Sequence, residues 1–161
     1  MKIDDLLPLL GLYTDDARVV AIVGRCESEM CDPDVVHQDI PIAQNASVRM
    51  TLPQVLHDLE CDVRQAKASK RVCEAIMMRS ESITDGPSIE LPAGVEWGMP
   101  AAELVALWGV PSRRSLLTDP QSWVRFDRPG ASLFAYFGLS DGNPRRGLQM
   151  LIWNMPGRDF A

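Results

Sequence analysis

The chain has 161 residues, 46% of them hydrophobic, and a formal net charge of −6. That apolar share excludes a globally disordered chain, and the length suits one domain or two small halves packed together. No apolar run approaches the ~20 residues of a membrane-spanning helix, and the acidity disfavours nucleic acid as a partner.

The charge is uneven. Residues 1–62 carry 12 acids and 4 bases, whereas residues 63–161 carry 10 acids and 12 bases. The opening Met1-Lys2-Ile3-Asp4-Asp5 has neither the basic start nor the apolar run of a secretion signal, so the expected location is cytoplasmic. In such a compartment Cys26, Cys31, Cys61 and Cys73 are expected as free thiols, and their spacing lacks the tight pairs of a zinc site.

In chain order, a first helix is predicted over Asp5–Leu10, capped by Asp5 and closed by Gly11. A second begins after Thr14, favoured by Asp15 and Asp16 at its positive end, and stops at Gly24. Residues 25–50 read as an acidic loop broken by Pro33 and Pro41. It has one short strand, near Ile40–Ile42 or near Ser47–Met50. Thr51 with Gln54 has capping-box spacing, and Val55, Leu56, Leu59, Val63 and Ala66 recur at helical intervals. Cys73, Ile76 and Met77 keep that period, so the helix is expected to run on to Arg79. Val72, Glu74, Ile76 and Met78 also alternate as a strand does, but no Gly or Pro interrupts the segment.

Asp85-Gly86-Pro87 reads as a turn dividing a mainly helical acidic half, 1–85, from a second half, 86–161. After a short strand at Ile89–Leu91, a helix runs from Pro100 to Trp108 with Leu104, Val105, Leu107 and Trp108 on one face. Gly109 and Pro111 end it. A polar loop over 112–121 leads to three strands, Trp123–Asp127, Ala131–Phe137 and Gly147–Asn154. The turns joining them contain Pro129-Gly130 and Asp141-Gly142-Asn143-Pro144. Short turns imply antiparallel neighbours. The expected fold is therefore α+β, with helices packed on an antiparallel sheet and a C-terminal α-β-β-β unit. Asp5–Leu12 echoes Glu103–Val110 in its order of acid, apolar pairs and glycine, which suggests two related halves.

The pattern Gly98-Met99-x-x-x-Glu103-Leu104-x-x-Leu107-x-Gly109-x-Pro111 resembles a signature shared by two groups. These are the small outer-membrane assembly lipoproteins of the SmpA/OmlA type and the repeats of β-lactamase inhibitory protein. Together with Leu91–Trp97 before it and Trp123-x-Arg125-Phe126-Asp127 after it, it is similar to the immunity proteins of polymorphic toxin and type VI secretion systems. So is the opening Asp4-Asp5-Leu6-Leu7-x-Leu9-Leu10-Gly11. The resemblance implies a helical unit followed by antiparallel strands. It also implies a non-catalytic cytoplasmic protein that binds and neutralises a cognate secreted toxin.

Two sets of residues are candidates for that contact. The acidic set is Asp15, Asp16, Glu27, Glu29, Asp32, Asp34 and Asp39, which suits a basic toxin. The aromatic set is Trp123, Tyr136 and Trp153, since a strand face turned away from the helix would present anchors. No nucleophile elbow or phosphate loop is present, and no cofactor or metal is called for. Cys61 with His57, or Cys31 with His37, is the only pairing suggestive of a thiol enzyme. An adaptor or chaperone for a secreted effector is the other alternative.

Overall fold

The computed structural model describes residues 1–23, 36–52, 71–115, 123–137 and 147–155. Its frame is one seven-stranded antiparallel sheet in the order β1-β2-β3-β7-β6-β5-β4. The strands are β1 (His37–Ala43), β2 (Ala46–Thr51), β3 (Val72–Arg79), β4 (Arg113–Arg114), β5 (Trp123–Arg128), β6 (Ala131–Phe137) and β7 (Leu148–Asn154). Among the described residues three short helices accompany it: α1 (Ile3–Leu6), continued by a 3₁₀ turn over Leu7–Leu9, then α2 (Ala17–Val23) and α3 (Ala101–Trp108). The fold is α+β and sheet-dominated.

On one side of the central β3/β7 pair the order is β3-β2-β1, and on the other it is β7-β6-β5 with the two-residue β4 beyond. Each side contains an antiparallel run of three strands consecutive in the chain, β1-β2-β3 or β5-β6-β7. Both echoed segments end at a glycine with positive φ, Gly11 at 84° and Gly109 at 89°. Strands from before and after the predicted boundary at residues 85–87 share the sheet through the β3–β7 pairing. The linker there is held by the β1–β2 turn: Asn45 exchanges two hydrogen bonds with the Ile89 backbone, at 2.8 and 2.9 Å.

The core lies between one sheet face and the helices. Ile3, Leu6, Leu9, Val19 and Leu104 meet Ile40, Val48, Met50, Ile76, Met78, Val124, Phe126, Leu133, Leu151 and Trp153. Each large side chain so buried contributes about 1.5–3 kcal/mol. α3 is docked on β5 by the edge of Trp108 against Phe126, centroids 5.4 Å apart. Arg128 lies over the same ring and donates to the Trp108 carbonyl at 2.9 Å, satisfying an orphan acceptor of the helix end. On the other side of α3, the Gly98–Met99 strap is stitched to the start of β7. Gly98 N–H donates to Leu148 O at 2.9 Å, and Leu148 N–H donates to Met99 O at 2.8 Å.

Several expectations need correction. Residues 72–79 form β3, not helix. Both faces of this central strand are covered, so burial is continuous from Val72 to Met78 and shows no period of two. Thr51 ends β2, and its hydroxyl donates to Glu74 instead of capping a helix. The rest of that predicted helix, residues 53–70, lies outside the described residues. Strand outweighs helix among the described residues of the first half, because both segments proposed for a single strand, near Ile40 and near Ser47, are strands. Ile89–Leu91 contributes only an isolated bridge, Lys2 with Glu90. α1 begins earlier than expected, with Asp5 inside it and accepting from Lys2 N–H at 2.8 Å. Asp16, not Thr14, caps α2 by accepting from Arg18 N–H at 2.9 Å.

Candidate functional site

The sheet face opposite α1, α2 and α3, helix-free among the described residues, carries the candidate site. Strand alternation sends Asp39, Ser47, Arg49, Met77, Arg79, Trp123, Arg125, Phe134, Tyr136, Met150 and Ile152 to it, since their neighbours face the core. Register then arranges them in rows across the strands. One row is Trp123–Tyr136–Met150–Arg79, running directly from β5 through β6 and β7 to β3. All four are only partly buried. The adjacent row, Arg125–Phe134–Ile152–Met77–Ser47, is more enclosed, with Met77 1% and Phe134 3% exposed.

The aromatic part of this face is a packed ladder. Trp123 tilts against Phe134 with centroids 5.6 Å apart, and Phe134 stacks with Tyr136 at 6.2 Å. The Arg125 guanidinium lies 5.6 Å from the Phe134 centroid and donates to Asp127 at 2.7 Å and to Ser132 at 3.2 Å. Burial raises the Asp127 carboxyl, but hydrogen bonds from Ser112, Arg125 and Ser132 and the Arg125 charge outweigh it, so its pKa lies below the usual value. These contacts pre-order the rings, which reduces the entropy lost when a surface docks on them.

The far side of the face is charged. Arg49 grips Asp39 through two hydrogen bonds, 2.7 and 3.0 Å, across the β1–β2 pair. Arg79 reaches the same carboxylate only at 3.8 Å. Arg49 also stands close enough to Tyr136, three strands away, for each to feel the other's charge. Burial raises the Tyr136 hydroxyl pKa and Arg49 partly offsets it. At the β1 end, Thr51 donates to Glu74, a carboxylate 1% exposed, and the His37 Nδ1 lies 2.9 Å from the Thr51 hydroxyl. The same Nδ1 stands 3.3 Å from the Glu74 carboxylate. His37 is therefore oriented by Thr51 and Glu74, while its proposed partner Cys31 lies outside the described residues.

The predicted contact residues are dispersed. Trp123 and Tyr136 share the helix-free face. Trp153 is 5% exposed within the core, paired with Ile76 and Leu133 under the helices, so it offers nothing to a partner. Asp39 is on the helix-free face but is tied to Arg49. Asp16 is spent on capping α2 and on Arg18, whose hydrogen bonds hold its carboxyl down to about 2. Asp15 is exposed beside it. Glu27, Glu29, Asp32 and Asp34 lie outside the described residues, as do Cys26, Cys31, Cys61 and His57. Cys73 is a free, buried thiol whose pKa burial pushes up to about 12. Among the described residues no cluster of His, Cys, Asp and Glu is arranged to hold a metal ion.

Sequence reasoning missed Arg49, Arg79 and Met150. With 72–79 read as helix, the face on which Arg79 stands was not readable. The alternation of β7 did contain the signal for Met150.

In comparisons with protein-family models, curated proteins and solved structures, nothing matched this chain. Among the described residues no helix is long and apolar enough to cross a membrane.

Proposed function

We propose that this chain is a non-catalytic, cytoplasmic immunity protein that binds a cognate secreted bacterial toxin through the helix-free sheet face and silences it. The observation that supports the reading is the row Trp123–Tyr136–Met150–Arg79, aligned in register and partly exposed. Trp, Tyr, Met and Arg are the residue types enriched at interface centres, and Trp, Tyr and Arg dominate hot spots. Mounted on four paired strands and braced by Phe134, they form a rigid anchor needing little ordering on contact. The partner is a protein, not nucleic acid or a membrane. The acid surplus of residues 1–62 suits a basic toxin, which it would draw in before the row engages.

The test is co-expression with the product of each adjacent gene, followed by purification and an assay of toxicity. A stoichiometric complex in which the toxin is silent supports immunity. A complex that leaves the toxin active supports an adaptor or chaperone role instead. Failure to form any complex refutes the proposal. Joint neutralisation of Glu27, Glu29, Asp32 and Asp34 should slow association and flatten its salt dependence; unchanged kinetics would remove the acidic half from the account.

A further inference from the structure

α3 is apolar on two opposite faces. Leu104, Val105 and Trp108 turn toward the sheet and pack in the core. The other face holds Ala102, Ala106 and Leu107, all exposed, with Val110 just past the Gly109 stop. Leu107 is 45% exposed and Val110 86%. Leu107 also lies against the exposed backbone of Gly94, where an added Cβ would come within 3.2 Å of its side chain, so the apolar surface continues onto the segment before the helix. A helix on the outside of a domain turns a polar face to water, and one that is apolar all round is normally covered. Charges frame this outer face in a fixed order. Acids stand toward its N-terminal end: Glu103 in the first turn of α3 and Glu96 in the segment leading into it, both exposed. Bases stand toward its C-terminal end. The exposed Arg128 donates to the Trp108 carbonyl at 2.9 Å. Arg114, also exposed, pairs in register with the core residue Val124 and so lies on the same side of the sheet as α3.

We infer that the outer face of α3 docks a second copy of this chain, the two helices lying antiparallel across a two-fold axis near Ala106. The charge order selects this occupant. Acid at one end and base at the other suits the dipole of a single helix, and it is also self-complementary: in an antiparallel copy the acids meet the bases and the dipoles oppose. Glu103 and Gly109 are each three residues from Ala106, so the axis sets Glu103 opposite Gly109 of the second copy, beside the Arg128 that caps that helix end. The small Ala102 and Ala106 let the helix axes approach to about 8 Å, and Leu107 and Val110 fill the flanks. The helix has eight residues and is about 12 Å long. A contact of that length buries less than the ~1,200 Å² of a stable interface, so the dimer is weak and reversible. The helix-free sheet faces then point away from each other, and each remains open to its own partner.

Sedimentation velocity of the full chain alone, from about 5 to about 500 μM, tests this. The sedimentation coefficient should rise from the monomer value toward the dimer value, with a midpoint on the order of 10–100 μM. Val110→Glu changes the most exposed of these side chains, so the circular dichroism spectrum should stay as it is while association weakens about 30-fold or more. Glu103→Arg and Arg128→Glu should each weaken association about 10-fold, because each sets like charges face to face at both symmetric contacts. Mixed in equal amounts, those two variants should associate as the parent chain does, since the mixed dimer places an acid opposite a base at both contacts. A folding defect in either variant would not be repaired by mixing. A chain that stays monomeric at about 500 μM overturns the inference. So does a dimer indifferent to Val110→Glu, or a mixture that associates no more strongly than its components. None of these readings involves the toxin, so the failure of either proposal leaves the other standing.

Discussion

Gly147→Ala examines how α3 is clamped to the sheet. Gly147 has φ +47°, and a Cβ there would fall 1.9 Å from Gly98 O and 2.5 Å from Met99 O. Those are backbone atoms, so they cannot move aside as a flexible side chain would. The strap must lift, and the hydrogen bonds Gly98 N–H to Leu148 O and Leu148 N–H to Met99 O go with it. Two such bonds are worth about 1 kcal/mol each. The left-handed conformation adds about 1–2 kcal/mol for a residue with a Cβ. The expected cost is therefore about 3–4 kcal/mol. Gly130→Ala is the control, because Gly130 has φ +83° but nothing within 4 Å of the added Cβ. It should lose only the conformational part, about 1–2 kcal/mol. In thermal unfolding followed by circular dichroism, Tm should fall by roughly 10 °C for the first variant and roughly 4 °C for the second. Equal losses would refute the clamp and leave only backbone conformation to explain both glycines.

The remaining predictions concern buried chemistry. The Cys73 thiol, raised from 9.0 to about 12 by burial, keeps its proton in the folded chain at pH values where the unfolded chain has lost it. Stability should therefore be undiminished below pH 9.0 and fall progressively toward pH 12, and Cys73→Ala should flatten that decline; an identical decline in the variant would contradict the burial of the thiol. Thr51→Val and Glu74→Gln should be coupled by about 1–3 kcal/mol in a double-mutant cycle of urea unfolding, since a hydrogen bond to a buried carboxylate joins them. Simple additivity of the two would mean that the bond is absent.

The second half of the fold was legible because β5, β6 and β7 alternate and are separated by Pro- and Gly-containing turns. Gly109 and Pro111 likewise marked the end of α3. The first half was harder for a physical reason. The helix-free face is itself largely closed over the centre of the sheet, so Ala75 and Met77 are as buried as Ile76 and Met78. A strand covered on both sides has no hydrophobic period, and the run Val72–Met78 then looks as much like a buried helix turn as a strand. The same misreading hid Arg79, because only the pairing with β7 brings it into line with Met150, Tyr136 and Trp123. Trp153 was misjudged by residue type: one step of alternation separates it from Ile152, and that step decides between core and surface. The echo between Asp5–Leu12 and Glu103–Val110 falls on two helical segments, α1 with its 3₁₀ turn and α3.

The most direct measurement of the central claim is the dissociation constant of the toxin complex for two pairs of variants. Trp123→Ala and Tyr136→Ala remove anchors from the helix-free face. Val20→Ala and Val110→Ala trim apolar residues, 37% and 86% exposed, from the opposite layer and the end of α3. The account predicts about 30-fold weaker binding for each of the first pair and changes within about twofold for the second. Losses confined to Val20 and Val110, with Trp123 and Tyr136 silent, would place the partner on the helical side and contradict it.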